Sequence, residues 1–183
     1  MGKDNVKKIV VIGPESTGKS TLCSELARHY GTLWVPEFAR EYLLKHGKQY
    51  TVESLWQIAC GQLQAEDAMA AQLAPSQPGA ALIIDTDMYV MKVWSEVVFD
   101  VCDNRILTHI ANRPYHLYLL CNTDLPWEQD ELREYPDLKQ RQHLYQYYLD
   151  AMLNQPVPWV SISGAPRERL AKAIAAIDAL LKQ

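Results

Sequence analysis

The sequence has 183 residues, of which 48% are hydrophobic and 22% are charged, a composition typical of a globular protein that can bury a core. Its 18 Lys and Arg against 22 Asp and Glu give a net charge of −4, which disfavours nonspecific binding to nucleic-acid phosphates. The apolar run at 9–13 is too short for a signal peptide or a membrane span. We therefore expect one cytoplasmic domain over residues 1–183, with no nucleic-acid or membrane partner.

Short, almost entirely apolar runs predict five buried strands, at 8–12, 33–36, 81–85, 116–121 and 159–163. Between them, helices are predicted at 19–30, 37–46, 52–73, 88–99, 104–112, 138–153 and 166–181. The turn-rich segment at 74–79 is too short to separate two domains. This alternation of strands and helices predicts an α/β fold with a mostly parallel five-stranded sheet that is covered on both faces.

An intact phosphate-binding motif follows the first predicted strand, because residues 13–20 read GPESTGKS and match G-x-x-x-x-G-K-[ST]. Such a loop wraps its backbone N–H groups around phosphate oxygens, and the following helix adds its positive dipole end. A plain glycine-rich turn is the alternative. The motif predicts a three-layer sandwich of the P-loop NTPase and kinase type. The predicted nucleotide site comprises Gly13, Glu15, Ser16, Thr17, Gly18, Lys19, Ser20 and Thr21.

Three residues of this motif have predicted roles toward ATP and Mg²⁺. Lys19 is expected to bridge the β- and γ-phosphates as a catalytic residue. Ser20 is expected to complete the coordination of Mg²⁺, and Thr21 to contact the α-phosphate. Asp85, at the end of the third predicted strand, is the candidate that holds Mg²⁺ through water and restrains Ser20.

Asp87 and Glu37 are rival candidates for the general base. Asp87 follows Asp85 by two residues and should project toward an acceptor hydroxyl at the carboxyl edge of the sheet. Glu37 follows the second predicted strand and should face the γ-phosphate. Either of the aspartates could instead cap the next helix, and Glu37 could merely complement a helix dipole. The sequence does not decide between Asp87 and Glu37.

A polar segment at about 124–141 is predicted to be a short lid, because phosphoryl transfer requires exclusion of water and neutralisation of charge. Arg133 and Arg141 could close over the triphosphate as catalytic residues, or could form surface ion pairs on a solvated loop. Trp127 could stack on a planar ring of the substrate, or pack in the core. We call residues 124–141 the lid segment.

Four further residues are placed by position alone. Arg40 lies one helical turn beyond Glu37 and could bind acceptor hydroxyls or pair with Glu37. Tyr89 lies next to the acceptor side, whereas Trp94 is expected to pack in the core. Arg167 follows the last predicted strand, where the adenine of ATP is expected.

Four blocks of the sequence together resemble the nicotinamide riboside kinase (ribosylnicotinamide kinase) family of the NadR type. They are GPESTGKST at 13–21, VPEFAREY at 35–42, DTD at 85–87 continuing to KVWSE at 92–96, and Pro126 and Trp127 with Asp130 and Arg133. The resemblance implies ATP-dependent phosphorylation of the ribose 5′-hydroxyl of nicotinamide riboside, which gives nicotinamide mononucleotide for NAD synthesis. It also implies that the nucleoside is surrounded by Glu37, Arg40, Asp87, Trp127 and Asp130.

Two other functions remain open from the sequence. The phosphate loop does not specify the acceptor, so the chain could be a kinase for another nucleoside or small metabolite. It could also be a nucleotide-dependent ATPase or switch module that binds a protein. The acid pair and the lid arginines favour a soluble acceptor over a protein partner.

Overall fold

The computed structural model of the chain describes residues 6–73 and 80–182. The N-terminal segment 1–5 and the predicted turn at 74–79 lie outside the described residues. The strands of the described part are β1 (Lys7–Ile12), β2 (Trp34–Val35), β3 (Ala81–Asp85), β4 (Leu117–Cys121) and β5 (Trp159–Ile162). The helices are α1 (Lys19–Tyr30), α2 (Phe38–His46), α3 (Val52–Leu73), α4 (Met88–Phe99), α5 (Asn104–Asn112), α6 (Leu138–Leu153) and α7 (Pro166–Leu181).

The strands form one parallel sheet in the order β2-β3-β1-β4-β5, with a helical layer on each face. Successive side chains of a strand point to opposite faces. Ile9 and Val11 of β1 accordingly pack with α1 and α7, whereas Val10 and Ile12 pack with α3, α4, α5 and α6. Because both faces are covered, the strands lack polar alternation. The predicted three-layer α/β fold is confirmed.

Five predicted elements differ from the observed ones by one residue, at one end for β1, α2, β4 and β5 and at both ends for β2. The edge strand β2 has only Trp34 and Val35, which pair with two residues of β3. Helix α2 begins at Phe38, and Glu37 is its N-cap residue. Strand β4 begins after His116, whose Nδ1 accepts a hydrogen bond from the backbone N–H of Lys8 at 3.1 Å. None of the helices in residues 6–73 and 80–182 combines the length and the apolar composition needed to cross a bilayer.

The sheet brings the phosphate-binding motif and the first acid of the pair together. Val11 of β1 pairs with Asp85 of β3, so the two neighbouring strands end at the same edge of the sheet. The motif begins directly after β1, and its last two residues open α1. The candidate site therefore lies at the carboxyl edge of the sheet, where open α/β sheets bind ligands.

Candidate active site

A cleft of about 690 Å³ opens at this edge. The phosphate loop forms one end of the cleft, and apolar residues of α2, α4 and α6 form the other end. Residues of the lid segment also line the cleft. Of the predicted site residues, those that line the cleft are Gly13, Glu15, Ser16, Thr17, Gly18, Lys19, Ser20, Thr21, Glu37, Arg40, Asp85, Asp130 and Arg133. Those outside the lining are Asp87, Tyr89, Trp127, Arg141 and Arg167.

The phosphate loop has a backbone shape that requires glycine at its first position. Gly13 has φ +138°, and a Cβ there would lie 2.6 Å from the carbonyl oxygen of Cys121. The carbonyl oxygen of Pro14 accepts hydrogen bonds from Thr17 Oγ1 at 2.7 Å and from Lys19 Nζ at 2.9 Å. The loop leads directly into α1, so the positive end of that helix dipole faces the phosphate end of the cleft.

Asp85 and Ser20 form a pair suited to a divalent cation. The Ser20 hydroxyl donates to Asp85 Oδ2 at 2.5 Å, and Asp85 Oδ1 is buried with no hydrogen-bond partner in the described part of the chain. Burial, and secondly the Glu37 carboxylate, raise the pKa of Asp85 to about 7. A carboxylate oxygen and a hydroxyl are ligands that Mg²⁺ prefers, and a bound cation favours the ionised carboxylate.

Glu37 lines the cleft, and its backbone is held by a residue that the sequence analysis did not identify. The buried Gln62 of α3 accepts a hydrogen bond from the N–H of Phe38 at 2.8 Å and donates to the carbonyl oxygens of Asp85 and Thr86 at 3.1 and 3.2 Å. Gln62 therefore ties Glu37 to the end of β3. The sequence feature that could have indicated this role is a glutamine among the apolar residues of α3, because a buried amide needs hydrogen-bond partners.

Asp87 has both carboxylate oxygens engaged inside the protein. Oδ1 accepts the N–H of Tyr89 at 3.0 Å and caps α4, and Oδ2 accepts the hydroxyl of Tyr118 at 2.8 Å. Burial raises the pKa of Asp87 to about 7, although these two hydrogen bonds lower it. Tyr89 packs edge-on against Tyr118. This geometry matches the helix-capping alternative of the sequence analysis.

The end of the cleft opposite the phosphate loop has an apolar wall from α4, made of Val90, Val93, Trp94 and Val97. Trp94 was expected in the core, and it both packs against the core and lines the cleft. Its indole Nε1 donates to the hydroxyl of Tyr50 at 2.9 Å, which fixes the plane of the ring. An apolar wall that includes an indole ring suits an aromatic base.

The lid segment crosses the cleft between β4 and α6. Asp130 binds the guanidinium of Arg40 through two hydrogen bonds of 3.0 and 3.1 Å, and this contact holds the pKa of Asp130 below its usual value. Arg40 thus pairs with the lid segment. Arg133 lines the cleft, and its Nη1 donates to the carbonyl oxygen of Glu128 at 2.5 Å.

Trp127 lies close to two arginines of the lid segment. The guanidinium carbons of Arg133 and Arg141 lie 5.9 and 5.4 Å from its ring centroid. Arg141 is buried, and its Nε and Nη1 and the Trp127 Nε1 have no hydrogen-bond partner within residues 6–73 and 80–182. Arg167 lies exposed in the first turn of α7.

Arg169, two residues beyond Arg167, lines the cleft and was missed from the sequence. Its buried guanidinium donates to the carbonyl oxygens of Thr17, Asn122 and Gly164 at 2.9 Å each and forms an ion pair with Asp124. It therefore fastens the phosphate loop to the ends of β4 and β5. In the sequence, Asp124 follows β4 and Arg169 follows β5. Only the strand order shows that β4 and β5 are neighbours, so the pairing of these two residues could not be predicted.

Curated relatives share modest sequence identity with the chain. It is 23% identical over 164 residues to the trifunctional NAD biosynthesis/regulator protein NadR of Salmonella typhimurium, an alignment that covers 87% of this chain and 39% of that protein. It is 26% identical over 132 residues to the NadR protein of Escherichia coli, covering 70% of this chain and 31% of that protein. The chain thus spans well under half the length of these relatives.

Solved structures show the same fold. A crystal structure of NadR protein in complex with NR matches 98% of this chain and 50% of that chain, with a TM-score of 0.79 and 21% identity. Thymidylate kinase from Candida albicans matches 97% of this chain and 93% of that chain, with a TM-score of 0.68 and 15% identity. The fold is therefore that of the P-loop kinases.

A family model for the AAA domain (AAA_28) matches residues 8–169. The match begins in β1 and ends in the first turn of α7. It thus includes the phosphate loop, Asp85, the lid segment and Arg169. The chain belongs to this AAA domain family.

Proposed function

We propose that the chain is an ATP-dependent kinase that phosphorylates the ribose 5′-hydroxyl of nicotinamide riboside to give nicotinamide mononucleotide. The observation that carries the proposal is one cleft in which an intact phosphate loop is continuous with an apolar, aromatic acceptor end. The NadR relatives, named for NAD biosynthesis, and the NadR structure in complex with NR support the choice of acceptor. Both partners are small molecules, and the proposed location is the cytoplasm.

The phosphate end binds ATP through the loop backbone and three side chains. Lys19 directs its ammonium charge toward the β- and γ-phosphates, and Thr21 contacts the α-phosphate. Ser20 and Asp85 would hold Mg²⁺, which would supply charge neutralisation for the triphosphate when bound. The unpartnered Oδ1 of Asp85 supports this assignment.

Glu37, rather than Asp87, is the proposed general base. Glu37 lines the cleft, and its side chain makes no capping hydrogen bond to α2. Asp87 is fully buried, is bonded through both oxygens and does not line the cleft. Glu37 thus accepts the proton of the 5′-hydroxyl as that oxygen attacks the γ-phosphorus, while the bond from the γ-phosphorus to the β,γ-bridging oxygen breaks and ADP leaves.

The lid segment is proposed to exclude water and to add positive charge. Arg133 lines the cleft and stabilises the transferring phosphoryl group, while Arg141 contacts the ring of Trp127. Arg40 fixes the lid segment through Asp130 and keeps a guanidinium at the acceptor end.

The test is incubation of the purified chain with Mg-ATP and nicotinamide riboside, followed by mass spectrometry for nicotinamide mononucleotide. The wild type is expected to form this product, and Lys19→Ala is expected to lose roughly a hundredfold or more of the rate with an unchanged circular dichroism spectrum. Nicotinic acid riboside, thymidine and deoxyadenosine serve as competing acceptors. Transfer to one of these alone would reject the proposed acceptor, and a folded, fully active Lys19→Ala protein would reject the proposed site.

A further inference from the structure

Two side chains of the phosphate loop hold the backbone of the lid segment. The Glu15 carboxylate accepts the N–H of Glu134 at 2.9 and 3.1 Å and also accepts the N–H of Tyr135. The Ser16 hydroxyl oxygen accepts the N–H of Glu128 at 3.0 Å. These contacts join residues that are 112 to 120 positions apart in the chain, so they can form only while the lid segment lies against the phosphate loop.

Both residues occupy the variable positions of the motif, where the phosphate-binding pattern does not demand a particular side chain. Ser16 has φ +55°, a left-handed backbone that is unfavourable for a non-glycine residue and has a cost in free energy. Glycine would avoid this cost, so the serine at this position has a use for its side chain. The observed use is the hydrogen bond to Glu128 of the lid segment.

Glu134 carries the connection onward to the acceptor end of the cleft. Its N–H is bonded to Glu15, and its Oε2 accepts the hydroxyl of Tyr50 at 3.2 Å. The Tyr50 oxygen in turn accepts the indole N–H of Trp94, which belongs to the apolar wall. Hydrogen bonds on either side of Glu134, to its backbone N–H and to its carboxylate, therefore link the phosphate loop to the wall that would contact the acceptor.

We infer that Glu15 and Ser16 are positioning residues that latch the lid segment onto the phosphate loop, with Glu134 as the junction to the acceptor wall. A charged acceptor with two N–H donors makes a strong latch, because such hydrogen bonds are about twice as strong as neutral ones. The latch couples the state of the phosphate loop to closure of the acceptor end. Its effect on catalysis rests on the proposed kinase function, whereas its existence does not.

Hydrogen exchange followed by mass spectrometry tests the latch without ATP or acceptor. In Glu15→Ala, exchange in peptides that span 128–135 is expected to rise about tenfold, while peptides from β1 and α7 keep the wild-type rate. Ser16→Ala should produce the same local rise through Glu128. Glu15→Gln retains one acceptor oxygen and should fall between wild type and Glu15→Ala. The matched control is Glu131→Ala, which removes an exposed lid carboxylate and should leave exchange unchanged.

Unchanged protection of 128–135 in both Glu15→Ala and Ser16→Ala would overturn the latch, as would an equal rise in Glu131→Ala. A uniform rise over the whole chain in these variants would also overturn it, because a latch acts locally. If Glu15→Ala does not fold, Ser16→Ala and Glu15→Gln decide the question by the same measurement.

An activity measurement separates positioning from a merely structural role. With the lid segment released, water reaches the phosphoryl group, so the ratio of ATP hydrolysis to transfer should rise several-fold in Glu15→Ala, and the KM for the acceptor should rise more than kcat falls. In Glu15→Gln, the ratio of ATP hydrolysis to transfer and the KM for the acceptor should both lie between those of the wild type and those of Glu15→Ala. If no acceptor is phosphorylated by the wild type, the proposed function fails, while the exchange result still stands on its own.

Discussion

Asp85 and Asp87 are separated by a single residue, yet their carboxylates have different surroundings. Asp85 leaves one oxygen without a partner beside Ser20, whereas Asp87 uses both oxygens to cap α4 and to bind Tyr118. The residue between them, Thr86, has φ +70°, which turns the chain sharply between the two acids. We therefore expect the two acids to respond differently to substitution.

Asp87→Ala is expected to lower the free energy of unfolding by roughly 1–3 kcal/mol, because it removes a helix cap and leaves the buried Tyr118 hydroxyl without an acceptor. Urea unfolding followed by circular dichroism measures this change. Tyr118→Phe, which removes the hydroxyl as well, should restore part of the loss when combined with Asp87→Ala. Full stability of Asp87→Ala together with complete loss of phosphorylation would instead make Asp87 the acceptor-side base.

Glu37→Gln is expected to lower kcat roughly 10²- to 10⁴-fold, because the amide cannot accept the hydroxyl proton. The unfolding free energy should change by less than about 0.5 kcal/mol, since the carboxylate makes no capping hydrogen bond. Steady-state kinetics with nicotinamide riboside is the measurement. Glu41→Gln, one turn later on the exposed side of α2, is the matched control and should leave kcat unchanged.

The residues of the site differ in how far the sequence could predict them. The phosphate loop was predictable because its function resides in eight consecutive residues. Gln62 and Arg169 were not, since all their partners except Gly164 lie 23 to 152 residues away and come together only in the folded sheet. Glu15 was predicted to belong to the nucleotide site because it is part of the motif. Nothing in the neighbouring sequence indicates that it contacts the lid segment. The roles of the predicted site residues stay predictions until they are tested by substitution.

At the scale of elements, α2 and α3 cross at one glycine. A Cβ on Gly61 of α3 would lie 2.1 Å from Cε1 of Phe38, the first residue of α2. The next residue, Gln62, bonds the N–H of Phe38. The close crossing therefore sets the start of α2, and with it the position of Glu37.

Gly61→Ala is expected to destabilise the chain by roughly 1–3 kcal/mol through overpacking, although alanine in an open helix position would stabilise it by about 1 kcal/mol. Thermal unfolding measures the change, and kcat should fall as well because Phe38 adjoins Glu37. The double variant Gly61→Ala, Phe38→Leu shortens the opposing side chain and should recover part of the stability. A stabilised Gly61→Ala protein would contradict the close crossing.

Most elements were predictable because their hydrophobic patterns are local. Six of the predicted helices begin and end at the observed residues, since apolar spacing and caps such as Asp103 and Asp137 mark them in the sequence. The edge strand β2 was overestimated because its length depends on pairing with β3. The lid segment was predicted by its polarity, but its path over the cleft is fixed by distant contacts.

At the scale of the whole molecule, Arg169 and Asp124 join the phosphate loop to the outer half of the sheet. Burial alone would raise the pKa of Asp124, but the N–H of Gly164 and the Arg169 guanidinium outweigh burial and hold the pKa below its usual value. A carboxylate whose pKa is lowered by folding stabilises the protein above its unfolded pKa, and this stabilisation is lost as the pH falls through the folded pKa.

We expect the stability difference between wild type and Asp124→Asn to be constant near neutral pH and to shrink as the pH falls below about 4. Urea unfolding of both proteins between pH 7 and pH 3 measures the difference. Asp150→Asn, which removes an exposed carboxylate of α6, is the matched control for the loss of one negative charge. A constant gap between wild type and Asp124→Asn down to pH 3 would show that the ion pair does not contribute.

The contacts of Trp127 with Arg133 and Arg141 give the molecule an intrinsic optical signal. The indole of Trp127 lies near two cations, and its N–H is shielded from solvent. When the lid segment opens, the indole ring becomes exposed to water, and its fluorescence emission shifts to longer wavelength. The difference spectrum between wild type and Trp127→Phe isolates this contribution from the other four tryptophans. Opening and closing of the cleft can then be followed in real time by stopped-flow mixing, without an attached dye.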